Sequence, residues 1–300
     1  MPIPVLSTSA KGTLQVLAGA VMISFSAVFV KLAHVGPIVS AFYRMAFGGT
    51  ILLILVFLTH KFMRFSRKAL LLMAICALFF TCDLTVWHHS IFYVGPGLAT
   101  ILANFQVFFL AGVGFLFYKE QLTLRYVISV PLAVLGLLLL IMRGGGKLYP
   151  HFYLGVFLGL LTAVAYSAYL LTLRNLQQGS SQISALFVIA VISLLTAFAL
   201  GVEVIGTGHS FSLPDAFTWT ALIAYGIAGQ VLGWVFISKG IAEIEASRAG
   251  LILLLQPTLS FIWDILFFHR PTNATDIIGA LVAISAIYLG STARPATKGT

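Results

Sequence analysis

The sequence predicts an all-α polytopic membrane protein, about ten transmembrane helices in two inverted five-helix repeats with both termini cytoplasmic. Three observations carry that expectation. Only 8% of the 300 residues are charged while 60% are hydrophobic, against roughly 25% charged in soluble domains. Apolar runs follow one another along the whole chain, each near the ~20 helical residues that cross a bilayer. The runs are long and unbroken, unlike the short alternating segments of a membrane β-barrel. Ten such spans take up about two-thirds of the chain, leaving connectors but no aqueous domain. Soluble enzymes, nucleic-acid binders and disordered chains are thereby excluded.

Bounded by charge, Gly or Pro, the runs fall at 12–33, 37–59, 68–92, 96–117, 122–142, 152–173, 182–202, 216–238, 246–268 and 274–292. The first follows a single Lys11 and exceeds a signal-peptide core, so it reads as a retained span. The net charge of +9 reflects orientation, because Lys and Arg accumulate on cytoplasmic loops. With the N-terminus inside, the inner side holds Lys11, Lys61, Arg64, Arg67, Lys68, Lys119, Arg125, Arg174, Lys239, Arg248, Arg294 and Lys298. The outer side holds only Lys31, Arg143, Lys147 and Arg270, and Arg44 falls inside span two. Cys76 and Cys82 share span three about 9 Å apart along the axis, too far for a bridge.

The chain also resembles itself. At a shift of 150 residues, Ala99-Thr-Ile-Leu-Ala-Asn-Phe-Gln106 meets Ala249-Gly-Leu-Ile-Leu-Leu-Leu-Gln256. Outside that register, Ser26-Ala-Val-Phe29 resembles Ser167-Ala-Tyr-Leu170. The expected units are residues 1–143 and 144–300, joined at Arg143-Gly-Gly-Gly-Lys147. Five spans per unit is an odd number, so the second unit sits inverted. Inverted repeats rocking about a shared interface give alternating access, which points to a secondary transporter.

Three stretches then carry a family resemblance: Phe42-Tyr-Arg-Met-Ala-Phe-Gly-Gly49 with its buried Arg, Phe117-Tyr-Lys-Glu-Gln-Leu122 closing span four, and Leu255-Gln-Pro-Thr-Leu-Ser260 in span nine. They resemble the drug/metabolite transporter superfamily in its EamA-type, ten-helix form, over nearly the whole chain. Among its members the resemblance is strongest to the YddG-type exporters of aromatic and other amino acids. Two positions depart from that pattern: Val107 replaces a frequent Pro of the first repeat, and His269-Arg270-Pro271 an expected Glu of the second.

Asp83 is the leading candidate for substrate contact, because an intramembrane carboxylate is expensive unless it faces a cavity or a partner. Trp87, four residues on, shares its face. His88 lies a turn further out. It could take up a proton, and adjacent histidines point apart, which disfavours a metal. Thr100 and Asn104 in span four, Gln230 and Trp234 in span eight, and Gln256, Ser260 and Trp263 in span nine each form a stripe at helical spacing. Such stripes are either interhelical glue or the sparse polar groups of a small-molecule site. Tyr166 and Tyr169, with Phe25 and Ser26 in the counterpart span, would add aromatic wall. Arg44, Pro257 and Asp264 are read as structural or gating residues. No metal site, cofactor or phosphate loop is expected.

The resulting expectation is a non-enzymatic inner-membrane exporter of small organic solutes, most of all amino acids including aromatic ones. Its partners would be its substrate and the lipid bilayer, with no nucleic acid and no obligatory protein. The alternatives are a nucleotide-sugar, sugar-phosphate or other metabolite carrier of the same fold, a membrane-embedded lipid or quinone enzyme, and a channel. The shortage of buried Lys and Arg weighs against anionic cargo.

Overall fold

The computed structural model describes residues 7–59, 66–119, 122–141, 151–179, 184–268 and 273–291, and every regular element among them is helical. Span one comprises α1 (Thr8–Ser24) and α2 (Ser26–Leu32), and span two α3 (Pro37–Leu58). Spans three and four share α4 (Arg67–Asn104), span four continuing as α5 (Gln106–Tyr118), and span five is α6 (Leu124–Ile141). Spans six and seven are α7 (Phe152–Gly179) and α8 (Ala185–Gly206). Span eight runs through α9 (Ala216–Tyr225), a π-helical segment (Gly226–Gly233) and α10 (Trp234–Ile241). Span nine is α11 (Ala246–Leu253) and α12 (Leu255–Phe268), and span ten α13 (Ala274–Ser291). The joint at Arg143–Lys147 lies outside the described residues.

Local chemistry sets the starts. The Ser7, Ser66, Ser184 and Asp215 side chains accept from the N–H groups of Ala10, Ala69, Phe187 and Thr218, satisfying donors that open a helix. Pro37 occupies the first turn of α3, where its missing N–H is no loss. Among the described residues, seven helices are long and apolar enough to cross a membrane, and three shorter apolar ones lie at Leu102–Phe117, Leu124–Gly136 and Ile277–Gly290. Large apolar side chains such as Leu58, Phe198 and Tyr288 stand exposed, as a lipid-facing surface requires.

One boundary differs from expectation. Helical backbone continues through Gly95-Pro96-Gly97, so α4 counts 38 residues, about 57 Å if straight and far beyond one bilayer crossing. Its contacts with α7 show that it doubles back. Phe80 stacks on Tyr169, and Ser90 Oγ donates to the Gly155 carbonyl. Leu102 then faces Gly159, and the Gln106 carbonyl accepts from Ser167. The first limb thus passes from the Tyr169 level to the Gly155 level, and the second returns along the same helix. Spans three and four are two crossings held in one helical run.

The helix pairs obey a swap of five. Span two packs on seven, four on nine and five on ten, while three on six exchanges with eight on one. Close approach depends on small residues. A Cβ on Gly240 would lie 2.5 Å from the Gly12 carbonyl, and one on Gly136 2.7 Å from that of Gly279.

Candidate functional site

Three segments bring an aromatic wall together inside the bundle. Tyr169 of α7 stacks on Phe80 of α4 with centroids 4.4 Å apart and planes within 9°. Trp234, at the start of α10, meets Tyr169 edge-on at 4.8 Å and Phe80 at 5.2 Å. Tyr166, one turn before Tyr169, lies 6.2 Å from the Trp234 ring. Tyr169 and Trp234 are buried.

Polar groups converge on this wall. Asp83 follows Phe80 by three residues on α4, on the same helix face, and is buried. Arg44 of α3 is buried too. It donates from Nη1 to the Tyr225 hydroxyl at 3.1 Å, with its guanidinium carbon 4.9 Å from that ring's centroid. The Gln256 side chain lies beside the Tyr166 hydroxyl. Gln230 donates from Nε2 to Ser193 Oγ at 2.7 Å.

Much of this hydrogen-bonding capacity is unused. Arg44 Nε, Tyr169 Oη, Gln230 Oε1, Trp234 Nε1 and Gln256 Nε2 are buried without a partner. Among the described residues Asp83 makes neither a hydrogen bond nor a salt bridge. Buried polar groups are nearly always paired in folded proteins. Five such unsatisfied atoms gather on the spans that build and flank the aromatic wall.

Span eight reaches the wall through its π-helical segment. The wider i→i+5 turn, a frequent feature of functional sites, spans Gly226–Gly233 and carries Gln230. At Gly229 a Cβ would stand 3.3 Å from the Tyr225 ring and 3.4 Å from Arg44 Nε, so the glycine leaves room for the guanidinium.

Asp83, Arg44, Tyr166, Tyr169, Gln230, Trp234 and Gln256 thus come together. Trp87 instead packs with Ala99, Leu102, Val156 and Leu160 where α4 folds back on α7. His88 spends Nδ1 on the Leu84 carbonyl one turn below. Asn104 is buried at the last turn of α4. The side chains of Thr100 and Asp264 lie outside the described residues. Ser260 and Trp263 face span one: Ser260 Oγ donates to the Ser24 carbonyl, Trp263 Nε1 to Ser24 Oγ at 2.7 Å, and Trp263 stacks on Phe25. Span nine breaks at Leu254, three residues before Pro257. The proline ring would strike the carbonyl four residues back, that of Leu253, the last residue of α11.

Sequence reasoning passed over Phe80 and Tyr225, aromatic residues in a chain full of them. It also passed over Glu203 of α8, whose Oε2 accepts from Thr85 Oγ1 while Oε1 is buried without a partner. That in-span acid was a readable signal. A separate pocket of about 250 Å³ opens where α1 begins and α7 ends, lined by Ser9, Arg174, Gln178, Glu243, Glu245 and Arg248. It lies at one end of the bundle, away from the aromatic wall, and two of its lining residues are joined where Gln178 donates to the Ala242 carbonyl. Among the described residues no three His, Cys, Asp or Glu side chains cluster as a metal site would need.

The chain resembles known transporters over most of its length. It is 23% identical over 273 residues to the uncharacterized transporter YvbV of Bacillus subtilis, covering 89% of this chain and 86% of that protein. It is likewise 23% identical over 260 residues to the pseudopaline exporter CntI of Pseudomonas aeruginosa, covering 84% and 86%. One crystal structure superposes with a TM-score of 0.79 at 16% identity, over 93% of this chain and 96% of that one. The EamA-like transporter family profile matches residues 10–142 and again 153–292. With the long apolar helices of the fold, those two matches establish the chain as a multi-pass membrane protein of the EamA-like transporter family.

Proposed function

We propose that this transporter exports amino acids, aromatic ones included, across the inner membrane, by rocking two five-span units (residues 1–143 and 144–300) about the aromatic chamber. The observation that carries the reading is Asp83, a buried intramembrane carboxylate that makes no hydrogen bond or salt bridge among the described residues, on the helix face of Phe80, which packs on Tyr169 and Trp234. A substrate ammonium supplies the missing partner, and the rings supply an apolar wall for a side chain. Gln230, Gln256 and Trp234 hold unused hydrogen-bonding atoms that orient the remaining polar groups. The exporter among the relatives supports the direction of transport, and the resemblance to YddG-type exporters supports the substrate class. Among the described residues Arg44 is the one buried arginine beside this wall, Arg174 lining the pocket at the end of the bundle, which disfavours doubly charged phosphate cargo.

Uptake of labelled phenylalanine into liposomes containing the purified protein tests this. Saturable uptake that tryptophan competes and Asp83→Asn reduces at least tenfold is the expected result. Uptake indifferent to Asp83→Asn overturns the site, and exchange of sugar phosphates without amino-acid movement overturns the substrate.

A further inference from the structure

Arg44 and Asp83 both border span eight: a Cβ on Gly229 would stand 3.4 Å from Arg44 Nε, and Phe80, one turn before Asp83, meets Trp234 at 5.2 Å. Among the described residues no salt bridge joins the two. Arg44 keeps its charge under all conditions, and a buried guanidinium ordinarily takes an anion as partner. Here Nη1 is occupied by the neutral Tyr225 phenol, the Tyr225 ring lies beside the guanidinium, and Nε has no partner at all. Gly229 keeps the space beside that Nε clear of side chain. Asp83, on the facing span, makes no hydrogen bond or salt bridge among the described residues. The Tyr166 and Tyr169 rings stand beside it, Tyr169 stacked on Phe80 at 4.4 Å and on Tyr166 at 6.4 Å.

Resting on the amino-acid reading above, we propose that Arg44 is the carboxylate-binding arm of the site and that the transporter selects zwitterions, with Asp83 holding the ammonium and Arg44 the carboxylate. The guanidinium fork suits a carboxylate, accepting it through two donors at once. Tyr225 holds the arm by accepting one hydrogen bond on an uncharged phenol and by a cation–π contact, both weaker than a charged partner. A ligand carrying one charge leaves the other buried residue unmatched, and that penalty is the source of selectivity.

The test is binding of L-phenylalanine, phenethylamine and 3-phenylpropionate to the purified protein, read by thermal shift and by tryptophan fluorescence. The two half-ligands share the ring and keep one charge each. Phenylalanine should bind at least tenfold more tightly than either half. Arg44→Gln should lose phenylalanine at least tenfold while keeping phenethylamine, and Asp83→Asn should do the reverse, keeping 3-phenylpropionate. Arg44→Lys should recover part of the phenylalanine affinity. Loss of all three ligands in both variants means that the pair only holds the fold, which overturns the proposal. Phenethylamine binding as tightly as phenylalanine overturns the two-charge reading and leaves an amino-acid carrier standing. No binding of any of the three by folded protein overturns the amino-acid reading, and the proposal with it.

Discussion

Ser260 of span nine donates its hydroxyl to the Ser24 carbonyl at 2.8 Å, at the point where span one breaks. The break at Phe25 separates α1 from α2, and Trp263 adds a second bond to the Ser24 hydroxyl while stacking on Phe25 at 4.5 Å. Where helical backbone is interrupted within a membrane, neighbouring side chains satisfy the freed groups. Ser260→Ala and Trp263→Phe should each lower stability by about 1 kcal/mol. The double variant should lose less than the sum, since both bonds hold one turn. Thermal unfolding in detergent reads this. Fully additive losses would show that the two bonds are independent.

That break also marks what the sequence displays and what it conceals. The spans are visible because a bilayer requires about 20 apolar residues per crossing, and Gly, Pro and charge punctuate the runs. The breaks at Phe25 and Phe105 are invisible because nothing at either position forbids helix. Only the one at Leu254 leaves a trace, in Pro257. The π-helical turn at Gly226–Gly233 is hidden for the same reason: glycines permit it without prescribing it. Polar residues in apolar runs stand out, so Asp83, Gln230 and Gln256 were legible as candidates. Phe80 and Tyr225 were not, because their roles depend on which spans meet. Trp87 shares a helix face with Asp83, but the return limb of α4 claims it for packing.

Glu203 depends on Thr85 for its one side-chain hydrogen bond, through Oε2. Thr85→Val leaves that carboxyl group without a donor and should cost about 1–3 kcal/mol. Replacing both partners with apolar groups, Thr85→Val with Glu203→Leu, should restore most of the loss, because no polar group is then stranded. Unfolding midpoints of wild type, Thr85→Val and the double variant decide it. A double variant no more stable than Thr85→Val alone would show that Glu203 has another role in the folded state.

The bond between His34 and Asp215 ties the end of span one to the start of span eight at 2.8 Å, on the surface of the bundle. That bond first, and the Thr218 N–H second, hold the Asp215 carboxyl down to about 2, against an ordinary value of 3.8. A carboxylate depressed in the folded state contributes stability that is whole above the ordinary value and is lost as pH falls through the folded one. Wild type should therefore exceed Asp215→Asn in melting temperature by a small, constant margin at neutral pH, which shrinks between about pH 4 and pH 2. The margin is small because both groups are exposed. A margin unchanged down to pH 2 would assign Asp215 a capping role alone.

Spans four and nine break at Phe105 and Leu254, within one residue of correspondence at a shift of 150, yet only span nine carries a proline beside its break, and Val107 occupies the place that Pro257 holds 150 residues on. Were proline the cause of the break, span four would be straight; its break shows that the interruption belongs to the fold. Val107 is the second residue of α5, in its first turn, where proline costs little. Val107→Pro should then be tolerated, with a melting temperature close to wild type apart from the lost packing of Val107 against Leu251 and Leu254. Val113→Pro, in the middle of the same helix, should cost about 3 kcal/mol or more. Equal damage from both would mean that the backbone at Phe105 is continuous in the working protein. The predicted contrast means that Pro257 and its valine counterpart sit on hinges of the same construction.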